Sequence, residues 1–343
     1  MISAKITQDS IANNVRIITY ELDYHRYIHA ELMTHRLFSR NAASSRAVPV
    51  RVMLEHITNN PAIPTYWGAN QAGMSSKEEL TGKFLEDAKF AWEKAIHQSV
   101  ANSLELSDCG LHKQLANRPT EWAQIMKTVV TMTEDANWFW LRDHKDAQPE
   151  IAALAKAMLE AKDASIPMQL RAGDLHVPYV QRRQDESGQV SYSTDEFKTT
   201  LDKQTALTIS ASCCAQVSYR KSDDSLEKAK MVYDRLILSE PVHASPIEHQ
   251  ATPMEKAHID ATSGQWQEGI THVDRKGQFW SGNFRGWIQQ RQLIAGNVKV
   301  GSVDTRSINE LALDTIENLL SDNISEMALS EAANARIKLR NNG

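Results

Sequence analysis

Cysteine is scarce: three in 343 residues, with Cys109 alone and Cys213 next to Cys214. No spaced pair is available for a zinc ribbon, a redox dithiol or a disulfide framework, and this usage leads us to expect a reducing, cytoplasmic setting. The chain also lacks an uninterrupted apolar run of bilayer-spanning length, and its opening, Met1 to Asp9, has no apolar stretch of signal-peptide length, so no membrane association is expected. A basic excess is missing too. With 38 Lys and Arg against 43 Asp and Glu the formal net charge is -5, which argues against a general nucleic-acid or membrane-surface binder; any phosphate recognition must be local. There is no internal repeat. What remains is 41% hydrophobic and 24% charged residues, enough for a core and for one large domain or two.

Val15 to Leu22 is rich in β-branched and aromatic residues and predicts a strand feeding a helix that begins near His25. Proline and glycine make 47–73 irregular, and apolar residues at helical spacing (Leu80, Phe84, Ala88, Ala91, Trp92, Ile96) predict a long amphipathic helix between Ser76 and Leu106. Helical regions are predicted over Thr120 to Thr131 and from Pro149 to Ala161, with proline at the first turn of the latter. Residues 166–199 read as a linker or edge hairpin, Ala206 to Val217 and Leu226 to Leu238 as helices, and Gly264 to Gly286 as loops or short strands. Ser307 to Lys338 has helical period and predicts one or two surface helices.

One stretch stands apart. From Thr34 to Arg46 the chain concentrates His35, Arg36, Ser39, Arg40, Asn41, Ser44, Ser45 and Arg46 in about four turns if fully helical. No hydrophobic core calls for such a set. Guanidinium forks match phosphate and the carbonyl edge of a base, so the cluster suits a small, anionic, oxygen-rich ligand; the bland alternative is a solvated, capped helix end.

The stretch resembles the signature RHRxxSxNxxSxR of the flavin-dependent thymidylate synthases, met by His35, Arg36, Ser39, Asn41, Ser44 and Arg46, with Thr34 in place of the first arginine. Asn137 to Arg142 followed by Ala147-Gln148-Pro149-Glu150-Ile151 is similar to the family's Asn, Leu-Arg and Ala-Gln-x-Glu-Ile segment. Ala215-Gln216-Val217-Ser218-Tyr219 and His243-Ala244-Ser245-Pro246-Ile247-Glu248-His249 resemble its Ala-Arg-Val-Ser-Tyr and His-x-Ser/Thr-Pro-x-Glu-His boxes. In the family these two precede the arginine motif; here they follow it, as in a circularly permuted relative.

The resemblance implies an α+β fold: a central, mostly antiparallel sheet flanked by helices, with added helices. It implies a core over 1–180 with a helical insertion at 47–112, a second segment over 181–300 completing that core, and a helical tail over 301–343. It implies the synthesis of dTMP from dUMP, with methylenetetrahydrofolate as one-carbon donor, FAD and NADPH as redox cofactors, and a homotetramer. His35, Arg36, Leu37, Asn41, Asn137, Ser218, His243, Ser245 and Glu248 would then hold the flavin. Glu31, Ser44, Ser45 and Arg46 would hold dUMP, and Arg142 would face the uracil ring as the catalytic group. A fixed guanidinium there stabilises the negative charge that makes uracil carbon 5 nucleophilic.

Other readings compete. His25, His29 and His35 invite a metal at helical spacing, and His243 and His249 with Glu248 superficially resemble a metal-hydrolase box, which Pro246 disfavours. Cys213 and Cys214 lack a cationic neighbour in sequence and read as buried, inert thiols. Ala42 stands where many relatives are acidic, and Thr131 and Thr133 where an Asn-x-Arg pair is expected; Asn283-Phe284-Arg285 restores that spacing elsewhere. A pyrimidine-nucleotide hydroxymethylase and an inactive nucleotide- or flavin-binding module are the alternatives.

Overall fold

Two asparagines make the first turn. Asn13 and Asn14 both adopt positive φ, the pairing a two-residue hairpin demands, and they join β1 (Ser3–Ala12) to β2 (Val15–His25). The computed structural model describes residues 2–195, 200–218, 223–257 and 266–299. Met1–Asn297 gather into one compact unit and Val298–Gly343 into a second. The helices expected over 307–338 fall outside the described residues.

The central sheet has the order β3-β4-β2-β1-β5, with β3 (Ser39–Ala42), β4 (Ile125–Met132) and β5 (Met168–Gln169); only the β1–β5 pairing is parallel. This is the mostly antiparallel α+β sheet that the resemblance implied. β4 corrects the helix expected over 120–131. A 3-10 turn at Arg118–Ala123 precedes it, and Val129, Val130 and Thr131 are β-branched residues buried on both faces of a central strand. Likewise, the arginine stretch is not one helix: α1 (His29–Met33) stops before it, and Ser39–Ala42 pairs with β4.

Alternation along β2 assigns the two faces. Tyr20, Leu22 and Tyr24 meet Trp138 of α5 (Ala136–Arg142) and Ile151, Leu154 and Met158 of α6 (Pro149–Asp163). Ile17 turns the other way, to Leu175, Val177, Phe284 and Trp287. α7 (Lys203–Ala215) covers that second face; its Asp202 cap accepts from the Thr205 N–H at 2.9 Å, and α8 (Leu226–Ile237) packs beside it. Cys213 and Cys214 are buried there, their thiols raised by burial, as inert residues should be.

The segment after β3 forms α2 (Val50–Asn59), α3 (Gly82–Asp108) and α4 (Lys113–Ala116). α2 meets the latter half of α3 through Met53, Ile57 and Ile96, with Trp92 edge-on to Trp122 at 5.1 Å. The predicted apolar stripe runs further than the burial does: Phe84 is 77% exposed. The predicted edge hairpin is β6 (Gln181–Gln184) with β7 (Val190–Ser193). Short strands follow: β8 (Ala251–Pro253), β9 (His272–Val273), β10 (Phe279–Ser281), β11 (Phe284–Arg285) and β12 (Trp287–Gln289), with β8 paired to β12 and β9, β10 and β11 in a three-stranded sheet.

Leu154 is fully buried between α6 and the sheet. Leu154→Ala is expected to cost about 2–5 kcal/mol through lost burial and the cavity left behind, read as a lower urea midpoint.

Candidate functional site

The arginine stretch divides at β3 into two ends. At the first, α1 delivers Glu31, and the turn after it delivers Thr34 and His35. The C-terminal turn of α5 brings Arg142 onto them: its Nε–H donates to His35 Nε2 at 3.0 Å and an Nη2–H to Thr34 Oγ1 at 3.3 Å. His35 is buried, edge-on to Trp138 at 4.7 Å and stacked near Phe38 at 5.7 Å. Burial, then Arg142 and Arg40, push its imidazole down to about 4, so at neutral pH the ring is uncharged, with its proton on Nδ1.

Arg142 offers five N–H donors, and the remaining three have no hydrogen-bond partner among the described residues. Beside it, Glu31 Oε2 is buried without a hydrogen-bond partner among the described residues, and burial raises that carboxyl while Arg142 opposes the shift. Arg36 and Asn137 are exposed, as are Met33, Leu37 (44%), Trp140 (75%) and Leu141. Such a surface, apolar groups around cationic ones, can hold a flat ring by its carbonyl edge.

At the other end, the Ser44 N–H donates to Ser218 Oγ at 3.0 Å and the Arg46 N–H to Ser44 Oγ at 3.3 Å, with Arg46 exposed. Ser45 is buried and turned away: its hydroxyl donates to Glu121 at 2.7 Å, a carboxylate also met by Arg26 and Arg118. Asn41 Nδ2 donates to the Cys214 carbonyl at 2.6 Å. Tyr219 lies outside the described residues.

The rearward box returns to β3. Ser245–Glu248 is a 3-10 turn that packs on this strand, and Gln289 ties them together, its side-chain NH2 lying 3.0 Å from Ser39 Oγ, 3.1 Å from the Glu248 carbonyl and 2.8 Å from Asn283 Oδ1. Glu248 itself pairs with Arg291. Burial raises its carboxyl, with Arg291 and Arg40 opposing. His243 and Ser245 are exposed and make no side-chain hydrogen bond to the other predicted site residues.

Asn283 Nδ2 donates to the Leu37 carbonyl at 3.0 Å, while Arg285 pairs with Glu134 and its N–H donates to Thr133 Oγ1 at 3.0 Å. The fold therefore brings the displaced Asn-x-Arg spacing beside both the arginine stretch and the threonine pair.

His249 points inward, into a buried chain of hydrogen bonds. Its Nδ1 meets Thr131 Oγ1 at 2.9 Å, Thr131 meets Thr19 at 2.7 Å, and Thr19 meets His176 Nε2 at 2.8 Å; His176 Nδ1 then meets Ser10 Oγ at 2.7 Å, which accepts from Arg182. The metal reading of the three early histidines finds no common centre. His25 turns to Tyr27, His29 to Tyr24 and His35 to Arg142.

Residues 8–168, which hold the whole arginine stretch and Arg142, match the profile of Thy1, thymidylate synthase complementing protein. That segment is similar to the Thy1 family. The Thy1 match stops before Ser218, the 243–249 box and Asn283, so the chain completes around β3 with residues beyond it. Among solved structures, the chain is similar to a UMP/dUMP methylase, PolB, from Streptomyces cacaoi bound with 5-Br dUMP, at 17% identity and a TM-score of 0.35, covering 43% of this chain and 66% of that one. No curated protein sequence matches the chain.

Sequence reasoning gives Arg40 no role of its own within the cluster and passes over Gln289 and Arg291. Arg40 occupies an unspecified position of the signature, yet its Nη1 caps the Met33 and His35 carbonyls at 2.9 and 3.0 Å. Gln289 and Arg291 sit in a polar run with no spacing signal.

The buried imidazoles make stability pH-dependent. His35 near 4 and His249 near 3 stay neutral in the folded chain, whereas the unfolded chain protonates them near 6.5. The unfolded state thus binds more protons as pH falls from 6.5 toward 4, and stability is lost over that window. The urea midpoint is expected to be lower at pH 5 than at pH 7, and His35→Gln to narrow the difference.

Proposed function

We propose that the chain is a flavin-dependent thymidylate synthase that methylates carbon 5 of dUMP, taking the one-carbon unit from methylenetetrahydrofolate with FAD and NADPH. The observation that carries this reading is the Arg142–His35 pair inside the Thy1 segment. A neutral imidazole fixes the guanidinium without neutralising it, and three of its N–H groups are left for a ligand.

The residues fit a flavin and a pyrimidine nucleotide. Exposed Leu37, Met33 and Leu141 offer apolar cover for a ring, Arg36 and Arg142 offer donors to its carbonyl edge, and the orphaned Glu31 Oε2 can accept a ring N–H. FAD would be held by His35, Arg36, Leu37, Asn41, Asn137, Ser218, His243, Ser245 and Glu248. Several of these are solvent-facing in one chain, which favours a homotetramer whose subunits share each site. When bound, the flavin supplies hydride chemistry from NADPH.

The protein's own part is positional and electrostatic. Ser44 and Arg46 would hold the nucleotide phosphate, with Ser45 tethered to Glu121 behind them. Arg142 donates to a ring carbonyl as negative charge spreads over the uracil and carbon 5 turns nucleophilic, so no enzyme nucleophile is needed. Asn283 and Arg285 would stand in for the missing Asn-x-Arg contacts to FAD.

Purified protein is expected to be yellow and to oxidise NADPH only when dUMP and methylenetetrahydrofolate are present, with dTMP as the product by mass. A 5-hydroxymethyl-dUMP product would instead assign a hydroxymethylase, and a colourless protein that refuses FAD an inactive module. Arg142→Gln should lower kcat by about 100- to 1000-fold, the scale seen when a single charge-stabilising donor is removed, while flavin absorbance is retained. Arg285→Ala should weaken FAD binding by roughly 10-fold, the loss of one charged hydrogen bond, measured by flavin fluorescence.

A further inference from the structure

The second face of the central sheet does not stay covered along its whole length. Past Val129, where Cys214 and Val217 pack, it opens into a cavity of about 370 Å³, large enough for a small heterocycle. Asp23, Ile125 and Lys127 form the floor, since paired residues of antiparallel strands share a face and Asp23 pairs with Lys127. Val48, Met53 and Ile57, from α2 and the turn before it, make one apolar wall, and Val217 stands in the lining with them.

Most of the polar lining is already engaged. Lys127 Nζ is 3.0 Å from Glu21 Oε1, and Tyr179 donates to the other Glu21 oxygen at 2.9 Å. Gln124 donates to Thr120 at 3.2 Å and accepts from Arg26 at 3.4 Å. Asp23 is the carboxylate that lines the cavity. Burial raises its carboxyl above the ordinary range, with Lys127 and a hydrogen bond from its cross-strand neighbour Ser3 opposing; a carboxylate has lone pairs left for further donors.

We propose that this cavity binds a flat heteroaromatic ring presenting a ring N–H beside an amino group, the 2-amino-4-oxo edge shared by guanine and pterins, with Asp23 accepting both donors. A carboxylate offers two oxygens at the spacing of two parallel N–H groups, the geometry that makes two-fold pairs specific. Adenine sets its amino group beside an acceptor, and uracil sets one donor between two acceptors, so each would turn a lone pair toward the carboxylate. Glu21 compensates Lys127, so Asp23 leaves the floor net negative and phosphate is not what it recognises. A guanine edge goes beyond the one-carbon reading, whereas a pterin edge is also carried by methylenetetrahydrofolate and would deepen that reading; of the lining residues, Ser218 alone is also assigned to the flavin.

The test is calorimetric titration of the purified full chain, without added flavin or dUMP, with guanosine, inosine, 6-methylpterin, adenosine and uridine. Guanosine or 6-methylpterin should bind saturably, and the tighter of the two identifies the source of the edge. Inosine, which lacks only the amino group, should bind about 10- to 100-fold more weakly than guanosine, the worth of one hydrogen bond to a charged group. Asp23→Asn should erase most of that preference. Absence of binding by both guanosine and 6-methylpterin, equal affinity for guanosine and inosine, or an unchanged preference in Asp23→Asn would each overturn the proposal. The guanosine-to-inosine ratio is read on the unaltered chain, so it decides the matter even if the variant does not fold.

Discussion

Strand β3 has four residues and one neighbour in the central sheet, and both ends of the candidate site hang from it. Its pairing with β4 sets Ser39 opposite Thr131 and Asn41 opposite Val129, which puts Ser39 and Asn41 on the second face and Arg40 on the first. Because side chains alternate with period two, a slip of one residue would reverse all three. Asn41 would then lose the Cys214 carbonyl, Ser39 the bond to Gln289, and Arg40 the two carbonyls that it caps at the end of α1. The rear of the chain is fastened to the same register, since Gln289 reaches Ser39, Asn283 and the Glu248 carbonyl at once.

Beneath that ledge runs the polar chain from Arg182 through Ser10, His176, Thr19 and Thr131 to His249. One polarity uses every hydroxyl proton in it: Ser10 donates to His176, His176 to Thr19, Thr19 to Thr131 and Thr131 to His249. His249 then carries its proton on Nε2, the atom that has no partner among the described residues. A buried network of this kind specifies position more than it adds stability, because each member is costly to leave unsatisfied. It binds the box at 245–249 to the first strands of the Thy1 segment. A turn late in the chain is thereby held against strands near its start.

How much of this was readable beforehand follows from what each signal depends on. Local periodicity and caps placed β2, α6, α7, α8 and the hairpin of β6 and β7, because those elements are decided by residues near in sequence. β4 failed that test: Ile125 to Met132 carries no clean alternation, being buried on both faces, and only its place between β2 and β3 makes it a strand. The resemblance to a family singles out Arg142, Glu31 and Asn41, but it does not give their partners. His35, the Cys214 carbonyl and the orphaned carboxylate oxygen are set by tertiary packing. Ser45 shows the limit most plainly, since the motif points it at a ligand while the fold turns it to Glu121.

The electrostatics of the Arg142 end have a direction. A structural arginine is usually closed off by a carboxylate, as Arg16 is by Asp9 and Arg26 by Glu121. Arg142 is held instead by a ring that burial keeps neutral and by a hydroxyl, so the contacts that fix it cancel none of its charge. Glu31 is near enough for the two groups to influence each other, burial raising its carboxyl and Arg142 opposing, but it makes no ion pair with Arg142. A positioned, uncompensated guanidinium is poor economy for stability alone, because the same geometry with a carboxylate would bind more tightly. It is useful where negative charge arrives with a ligand or develops during a reaction, and the pairing with neutral His35 keeps it ready for that charge.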